Sequence, residues 1–454
     1  MNDSFKKQHP EFRIFDRSIR KCGDNYYFAA ERNGKVYLVI GNDSFSFFER
    51  EISSKILNER FPFFKPECSG YKNSFGFGDR TGYATAGHIR AARKSSFFPV
   101  FAQQSARELE RTGRSFQQVL DDVVFWCFTE GWSDPFGADA DHAKSFETLQ
   151  EAISAGYTFF TIDPSDKVKI PEKKSTIDRH KYDFYLKQYS GRKLSIKGFS
   201  FVFTDDIIVD LVSTYEDALD FIQQCYQFIS GKRKDFDFEV SVDEIKIPMS
   251  PFAHVFVVME LIRRKISFQS LALRLPGKFE KGVDYKGDVK KFTEDLIIHN
   301  NIRNYFGPYK ISLHSGSDKF RVYRKFKDIV GDMFHVKTSG TSWIQAMKTI
   351  AAVDRNFFVE CVNMALKNFE KNAASYEISA DVSEINLEKI KKENLESIFS
   401  DSNIRQLIHI SYGSIIGDEN PELKDKFFSA IERNLELYTQ FVEEHLYRHI
   451  KLLS

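Results

Sequence analysis

The sequence predicts an α/β protein built on a (β/α)8 barrel. Short β-rich runs end in polar residues and are each followed by a helical pattern, eight such runs can be counted, and histidines and carboxylates gather at the run ends. Strand ends converging from distant parts of a chain are how a barrel assembles its site.

Residues 1–65 are expected to form an accessory β-hairpin cap. Two β-rich runs flank Asn33-Gly34, a dipeptide suited to the left-handed backbone pair of a tight hairpin. The eight runs follow: SFGFGDR (74–80), FPVFAQQS (98–105), FGADADH (136–142), YTFFTID (157–163), FDFEVSVDE (236–244), FQSLALRL (268–275), YKISLHS (309–315) and MFHVKTSG (333–340). Eight is the number that closes a parallel, TIM-like barrel, which places that unit at residues 66–345. The helix after the third run opens at Ser145 and stops at Gly156, making a βαβ unit.

Residues 164–230 break the rhythm and read as an insertion after the fourth strand. The stretch is rich in Lys and Asp, carries Pro164 and Pro171, and turns helical around YEDALDFIQQCYQFI. Residues 346–454 read as a mostly helical extension packed on the barrel and ending in a long amphipathic helix. LIHISYG (407–413) is a ninth strand-like run inside it.

The 454 residues are 42% hydrophobic, enough to bury a sizeable core. With 65 basic and 64 acidic side chains mixed along the chain, there is no electrostatic footprint for nucleic acid. No run approaches the roughly 18 apolar residues of a membrane helix, and MNDSFKKQHPEF lacks the apolar core of a signal peptide. Five scattered cysteines (Cys22, Cys68, Cys127, Cys225, Cys361) form no Cys-x-x-Cys pair and read as reduced core residues, so a cytoplasmic setting is expected. The 46 phenylalanines fit either a large core or a homo-oligomer.

Alternation along a strand divides each run into two faces. In FEVSVDE, Phe238, Val240 and Val242 oppose Glu239, Ser241 and Asp243; in YKISLHS, Ile311 and Leu313 oppose Lys310, Ser312 and His314; in MFHVKTS, Phe334 and Val336 oppose His335, Lys337 and Ser339. The set facing the lumen is therefore unusually polar. Asp139 and Asp141 share a face, and His142 follows at the strand tip.

His142, His314 and His335 are the candidate metal ligands. Mixed imidazole and carboxylate ligation suits a divalent cation (zinc, manganese, cobalt or nickel), whose open positions would bind adjacent oxygens of a sugar. Each histidine taken singly is as well explained as a satisfied rim residue; three at equivalent strand ends favour metal. Asp141, Asp163, Asp243, Glu244 and Glu280 fall at or past strand ends as candidates for proton transfer, and Glu130 in FTEGW is either another or a helix-terminal charge. GFGDRTG (76–82) lacks the G-x-G-x-x-G spacing, so no dinucleotide cofactor is expected.

The strings GFGDRTGYATAGHIRA, FAQQSARELERTGRS, FGADADH, YTFFTIDP, SVDE, FEKGVDYKGD, SLHSGSDKF, FHVKTSGTSW and HISYGS together resemble the tagaturonate/fructuronate epimerase family of hexuronate catabolism, relatives of ketohexose 4-epimerases, over residues 74–414. The resemblance implies a metal-dependent isomerase that inverts a hydroxyl-bearing carbon of a sugar acid or ketohexose. That carbon lies beta to the ketone, so its C–H is not acidified, and retro-aldol cleavage with re-addition is the expected route. Transient oxidation would call for the missing dinucleotide fingerprint.

In these terms His142 and His314 are expected ligands with His335 a third. Asp141 is the base and Glu280 the acid, with Asp243, Glu244 and Glu130 as rivals. Arg80, Gln103, Asp163, Lys319 and Lys337 are expected to hold the substrate. A metal-dependent aldolase or ketose isomerase, or a barrel that only binds carbohydrate, would use the same residues.

Overall fold

The polar alternation of the eight runs closes a parallel barrel. In this computed structural model, which describes residues 2–169, 179–245 and 248–454, the barrel follows a small antiparallel sheet. That sheet comprises β1 (Arg13–Cys22), β2 (Asn25–Arg32), β3 (Lys35–Gly41) and β4 (Phe45–Phe48) in sequential order. Asn33 and Gly34 join β2 to β3 with φ of 54° and 85°, the positive pair of a tight hairpin turn. The expected hairpin is thus the middle of a four-stranded sheet.

The barrel strands are β5 (Ser74–Gly78), β6 (Phe98–Ser105), β7 (Gly137–Ala143), β8 (Phe159–Ile162), β11 (Asp237–Ser241), β12 (Ser270–Ala272), β13 (Lys310–Leu313) and β14 (Phe334–Thr338), closed by pairing of β14 with β5. Seven fall within their expected runs, and β7 overruns its own, 136–142, by one residue at Ala143. Between β8 and β11 lie the helix Arg179–Tyr189, the hairpin β9 (Lys193–Ile196) and β10 (Phe199–Val202), and the long helix Asp205–Ser230. Pro171, part of the expected insertion, lies outside the described residues.

Apolar strand positions such as Phe238, Val240, Ile311 and Val336 are buried in one continuous core with the surrounding helices. The opposite parity fills the lumen with polar groups. At its lower end Lys310 Nζ donates to Ser69 Oγ (2.7 Å) and Ser74 Oγ (3.0 Å), while Asp237 accepts the Ser69 amide (2.6 Å). Above that layer, His335 Nδ1 lies 2.9 Å from Ser74 Oγ. Desolvated polar groups need such partners, so the stack fixes the register of the strands that supply it.

The run 407–413 is not a strand. Asp401 accepts the amides of Asn403 and Ile404 and starts the helix Ser402–Ile410, and Tyr412–Ile416 forms a further short helix. Ile404, Leu407 and Ile408 are buried on it, so the apolar spacing is helical. The final helix, Leu435–Leu453, closes against Thr85–Ala92, where a Cβ on Gly87 would fall 2.7 Å from Val442. All five cysteines are free, with Cys22 and Cys68 only partly buried. Among the described residues no helix is long and apolar enough to cross a membrane.

Candidate active site

Three remote segments meet at the end of the barrel where the strands finish. His142 comes from β7, Asp243 from the turn just after β11, and His314 from the residue after β13. His142 Nε2 is 3.3 Å from Asp243 Oδ1 and 3.3 Å from His314 Nδ1, and His314 Nδ1 is 3.1 Å from Asp243 Oδ1. Ligand bonds of roughly 2.0–2.2 Å put neighbouring donor atoms about 3–3.5 Å apart. The triangle therefore has the dimensions of one cation's coordination shell.

The outer nitrogens are also accounted for. His142 Nδ1 donates to Asp141 Oδ1 (2.8 Å), and His314 Nε2 donates to Glu239 Oε1 (2.6 Å). A carboxylate behind each imidazole fixes the tautomer that aims the other nitrogen's lone pair at the shared point. Ser241 Oγ donates to Asp243 Oδ1 and orients the third donor. His142 holds a left-handed backbone, φ 52°, a costly conformation for a residue with a Cβ and one that clusters at functional sites.

Lys337 occupies the floor. Its Nζ lies 2.7 Å from Asp139 Oδ2, 2.8 Å from Asp141 Oδ1 and 2.9 Å from Glu239 Oε1, and it also donates to Thr161. Burial alone would lower this ammonium, but the three carboxylates hold it well above the ordinary lysine range. Burial likewise opposes the charge on Asp141, yet His142 and Lys337 keep its carboxyl well below the usual range. His142 itself, against its own burial, is lifted well above the histidine range by Asp141 and Asp243. Without a metal the anions hold protons on the imidazoles; either way the centre demands positive charge.

A cavity of about 440 Å³ opens over this triangle and is walled by Gln103, Arg107, Glu244, Arg274, Lys281 and Ser339 among others, a volume suited to a small polar ligand. Burial pushes the Glu244 carboxyl up, but His142, Arg107 and Lys144 bring it down to about 2, so it is ionised at neutral pH. Gln103 is buried, and its Oε1 has no partner among the described residues. Gly76 makes room for that carboxamide, since a Cβ there would fall 1.7 Å from Oε1.

The residues anticipated from the sequence separate into those that line the cavity, one just behind it and four that lie elsewhere. Asp141, His142, Asp243, Glu244, His314, Gln103, Arg80 and Lys337 line the cavity. Arg80 does so with its guanidinium already committed, to Glu108 (2.8 Å), to His409 O (2.8 Å) and over the Tyr412 ring. Asp163 sits behind His142 with its carboxylate taken by Ser165 and Lys144.

Four residues are displaced from their expected roles. His335 shares the lumen parity of Lys337 but lies a layer deeper, bonded to Ser74, and burial holds it well below the histidine range; it is not a third ligand of the triangle. Glu280 is turned away by the loop that folds back through the Lys278–Lys286 bridge, and its carboxylate receives Lys286, Ser379 and Gln406. Glu130 ends the helix Phe116–Thr129 and pairs with Arg90. Lys319 donates to the carbonyls of Glu280, Val283 and Ser317 and holds that loop together.

Sequence reasoning overlooked Glu239, Arg107 and Arg274. Glu239 was visible on the polar parity of its strand, and Arg274 on the parity of Ser270 and Ala272 inside the expected run 268–275, whereas Arg107 lies beyond a strand end, where alternation carries no information. A second histidine group, Asp318 with His445 and His449, does not fit a metal: His449 Nε2 already accepts the Asp318 amide (2.9 Å), and Asp318 pairs with Arg405 and His445.

The profile of the UxaE family, tagaturonate epimerase, matches residues 15–453. The Thermotoga maritima tagaturonate/fructuronate epimerase is 42% identical over 469 residues, covering 98% of this chain and 97% of that protein. A glycerol-complexed crystal structure of the fructuronate-tagaturonate epimerase UxaE from Cohnella laeviribosi superposes with a TM-score of 0.94 at 30% identity, covering 100% of this chain and 98% of that one. Its native crystal structure gives 0.90 at 28%, with the same coverage.

Proposed function

This chain belongs to the tagaturonate epimerase family and is a carbohydrate epimerase of the tagaturonate/fructuronate type; from that premise we propose that it inverts the hydroxyl-bearing carbon over the His142, Asp243 and His314 triangle. The observation that carries this reading is the pair of imidazoles whose inner nitrogens face one another at 3.3 Å while carboxylates hold both outer nitrogens.

The inverted carbon is beta to the ketone, so the reaction we assign is retro-aldol cleavage and re-addition. Glu244, ionised and facing the cavity, takes the proton of the hydroxyl on that carbon. The bond to the adjacent carbon on the ketone side breaks, and its electron pair passes into the ketone as an enediolate. The aldehyde fragment turns its other face, the same bond re-forms, and Glu244 returns the proton. A divalent cation held by His142, Asp243 and His314 would supply Lewis-acid polarisation of the ketone and its neighbouring hydroxyl.

Lys337 contributes a fixed positive charge beneath the developing oxyanion. Gln103 Oε1 accepts from a substrate hydroxyl. Asp141 is an orienting group in this scheme, because His142 and Lys337 already occupy its Oδ1.

Incubation with tagaturonate, fructuronate, tagatose and fructose tests the reading. The expected product is the epimer of a uronate with no net loss of six-carbon material. Stable three-carbon fragments as the main product would assign an aldolase instead.

A further inference from the structure

Five Lys and Arg side chains line the cavity: Arg80, Arg107, Arg274, Lys281 and Lys337. Four of them face a carboxylate of the protein itself, Arg80 with Glu108 (2.8 Å), Arg107 with Glu244 (3.6 Å), Arg274 with Glu377 (3.0 Å) and Lys337 with Asp139 (2.7 Å). Lys281 has no carboxylate partner among the described residues, and its Nζ donates to a neutral oxygen, Ser315 Oγ, at 2.5 Å. Lys281 is half-buried, so its ammonium has given up part of its water while its charge stays unanswered.

Both members of that pair line the cavity and neither is sealed, so a ligand there reaches them. Ser315 directly follows His314 and holds a left-handed backbone, φ 49°, a costly conformation for a residue with a Cβ. Its hydroxyl accepts from Lys281 and keeps its own proton to donate. An ammonium and an O–H therefore stand side by side next to the His142, Asp243 and His314 triangle.

The loop that carries Lys281 is pinned on both sides of it. Lys319 Nζ donates to the Glu280 carbonyl (3.0 Å), and Arg405 Nε donates to the Gly282 carbonyl (2.7 Å). Gly282 has φ 75°, and a Cβ there would fall 2.9 Å from the Arg405 carbonyl oxygen, so the turn lies directly on the helix Ser402–Ile410. The Glu280 carboxylate, which receives Lys286, Ser379 and Gln406, ties the same turn to the C-terminal extension. Groups that take no part in the triangle thus hold one lysine against the cavity, the support a recognition residue needs.

We propose that Lys281, with the Ser315 hydroxyl, takes the carboxylate of the keto-uronate and so sets the preference for a uronate over a neutral ketohexose. The proposal rests on the epimerase reading above and names the residue that reads the charged end of the substrate. A carboxylate supplies the charge this ammonium lacks and accepts from both donors; the CH2OH of a ketohexose supplies none. The carboxylate keeps its charge throughout the reaction, so the contact is equally strong before and during bond cleavage, and its loss shows in KM rather than in kcat.

The experiment is calorimetric titration with tagaturonate and with tagatose, which carries CH2OH in place of the carboxylate, alongside steady-state epimerisation of tagaturonate. Wild type should bind tagaturonate at least about tenfold more tightly than tagatose. Lys281→Met and Lys281→Gln should each weaken tagaturonate by about tenfold or more, with tagatose affinity kept within about twofold, KM raised in step and kcat within about threefold of wild type. Lys281→Arg, which keeps the charge, should recover most of the lost affinity.

Unchanged tagaturonate affinity in both neutral variants overturns the proposal, as does equal weakening of the two sugars or a wild type that binds them equally. So does a preference that collapses in Arg274→Met or Arg107→Met while the Lys281 variants keep it, because the carboxylate is then held elsewhere. The epimerase reading fails on a different result: wild type that epimerises tagaturonate while the Lys281 variants keep its preference sinks only the carboxylate contact, whereas wild type that neither binds nor converts tagaturonate sinks both.

Discussion

His142 Nε2 and His314 Nδ1 face each other across 3.3 Å, though 172 residues separate them in the chain. Two imidazoles brought this close by different strands of a rigid barrel, each backed by its own carboxylate, form a preorganised donor pair.

Removing a backing carboxylate should loosen the metal without removing a ligand. Asp141→Asn and Glu239→Gln are each expected to weaken divalent-cation affinity about 10–100-fold, measured by competition with a chromophoric chelator. Affinities equal to wild type in both variants would mean that the outer hydrogen bonds do not orient the ligands.

Lys337 balances three buried carboxylates, so its loss leaves them unpaired. Lys337→Met should destabilise the fold by about 3–5 kcal/mol in urea denaturation and cut kcat. A variant as stable as wild type would show that Asp139, Asp141 and Glu239 need no counter-charge.

Asp79 accepts the amides of Thr81, Gly82 and Ala84, all at 2.8 Å, and that of Thr85 at 3.2 Å, organising the loop after β5. Asp79→Ala is expected to cost roughly 2–4 kcal/mol. Burial would raise this carboxyl, but Arg114, His88 and Thr81 hold it below its ordinary value. A folded pKa depressed below the unfolded one gives stability that is present above about pH 3.9 and is lost as pH falls through the folded value. The gap between wild type and Asp79→Ala should therefore narrow in acid, read from denaturation midpoints between neutral pH and about pH 3; a constant gap contradicts this account.

Cleavage of a carbon–carbon bond also leaves a trace in the products. With substrate labelled in its ketone half and an excess of unlabelled ketone fragment, slow exchange of label should accompany epimerisation if the fragments part even briefly. Epimerisation with transfer of hydrogen from the inverted carbon to a redox carrier would contradict the retro-aldol route.

The barrel was legible because eight short runs, spaced by helices, allow few other closures, and because alternation separated Glu239 and Lys337 from Val240 and Val336. Alternation fixes which face a residue takes but not its height in the lumen. That is why His335, on the same parity as Lys337, reads like a ligand yet lies a layer below the site. Past strand ends the pattern is silent: the fold-back after β12 turns Glu280 away from the cavity, and Arg107 reaches it from a position with no periodic signal. The run 407–413 misled differently: its apolar residues suit a strand or a helix equally well until Asp401 caps it as a helix.

Metal content measured together with tagaturonate turnover in wild type and in the variants Asp243→Ala and His314→Ala tests the central claim most directly. About one divalent ion per chain in wild type, with loss of both the ion and at least a thousandfold of kcat in each variant, is the predicted result. Variants that keep wild-type metal content and wild-type turnover would contradict it.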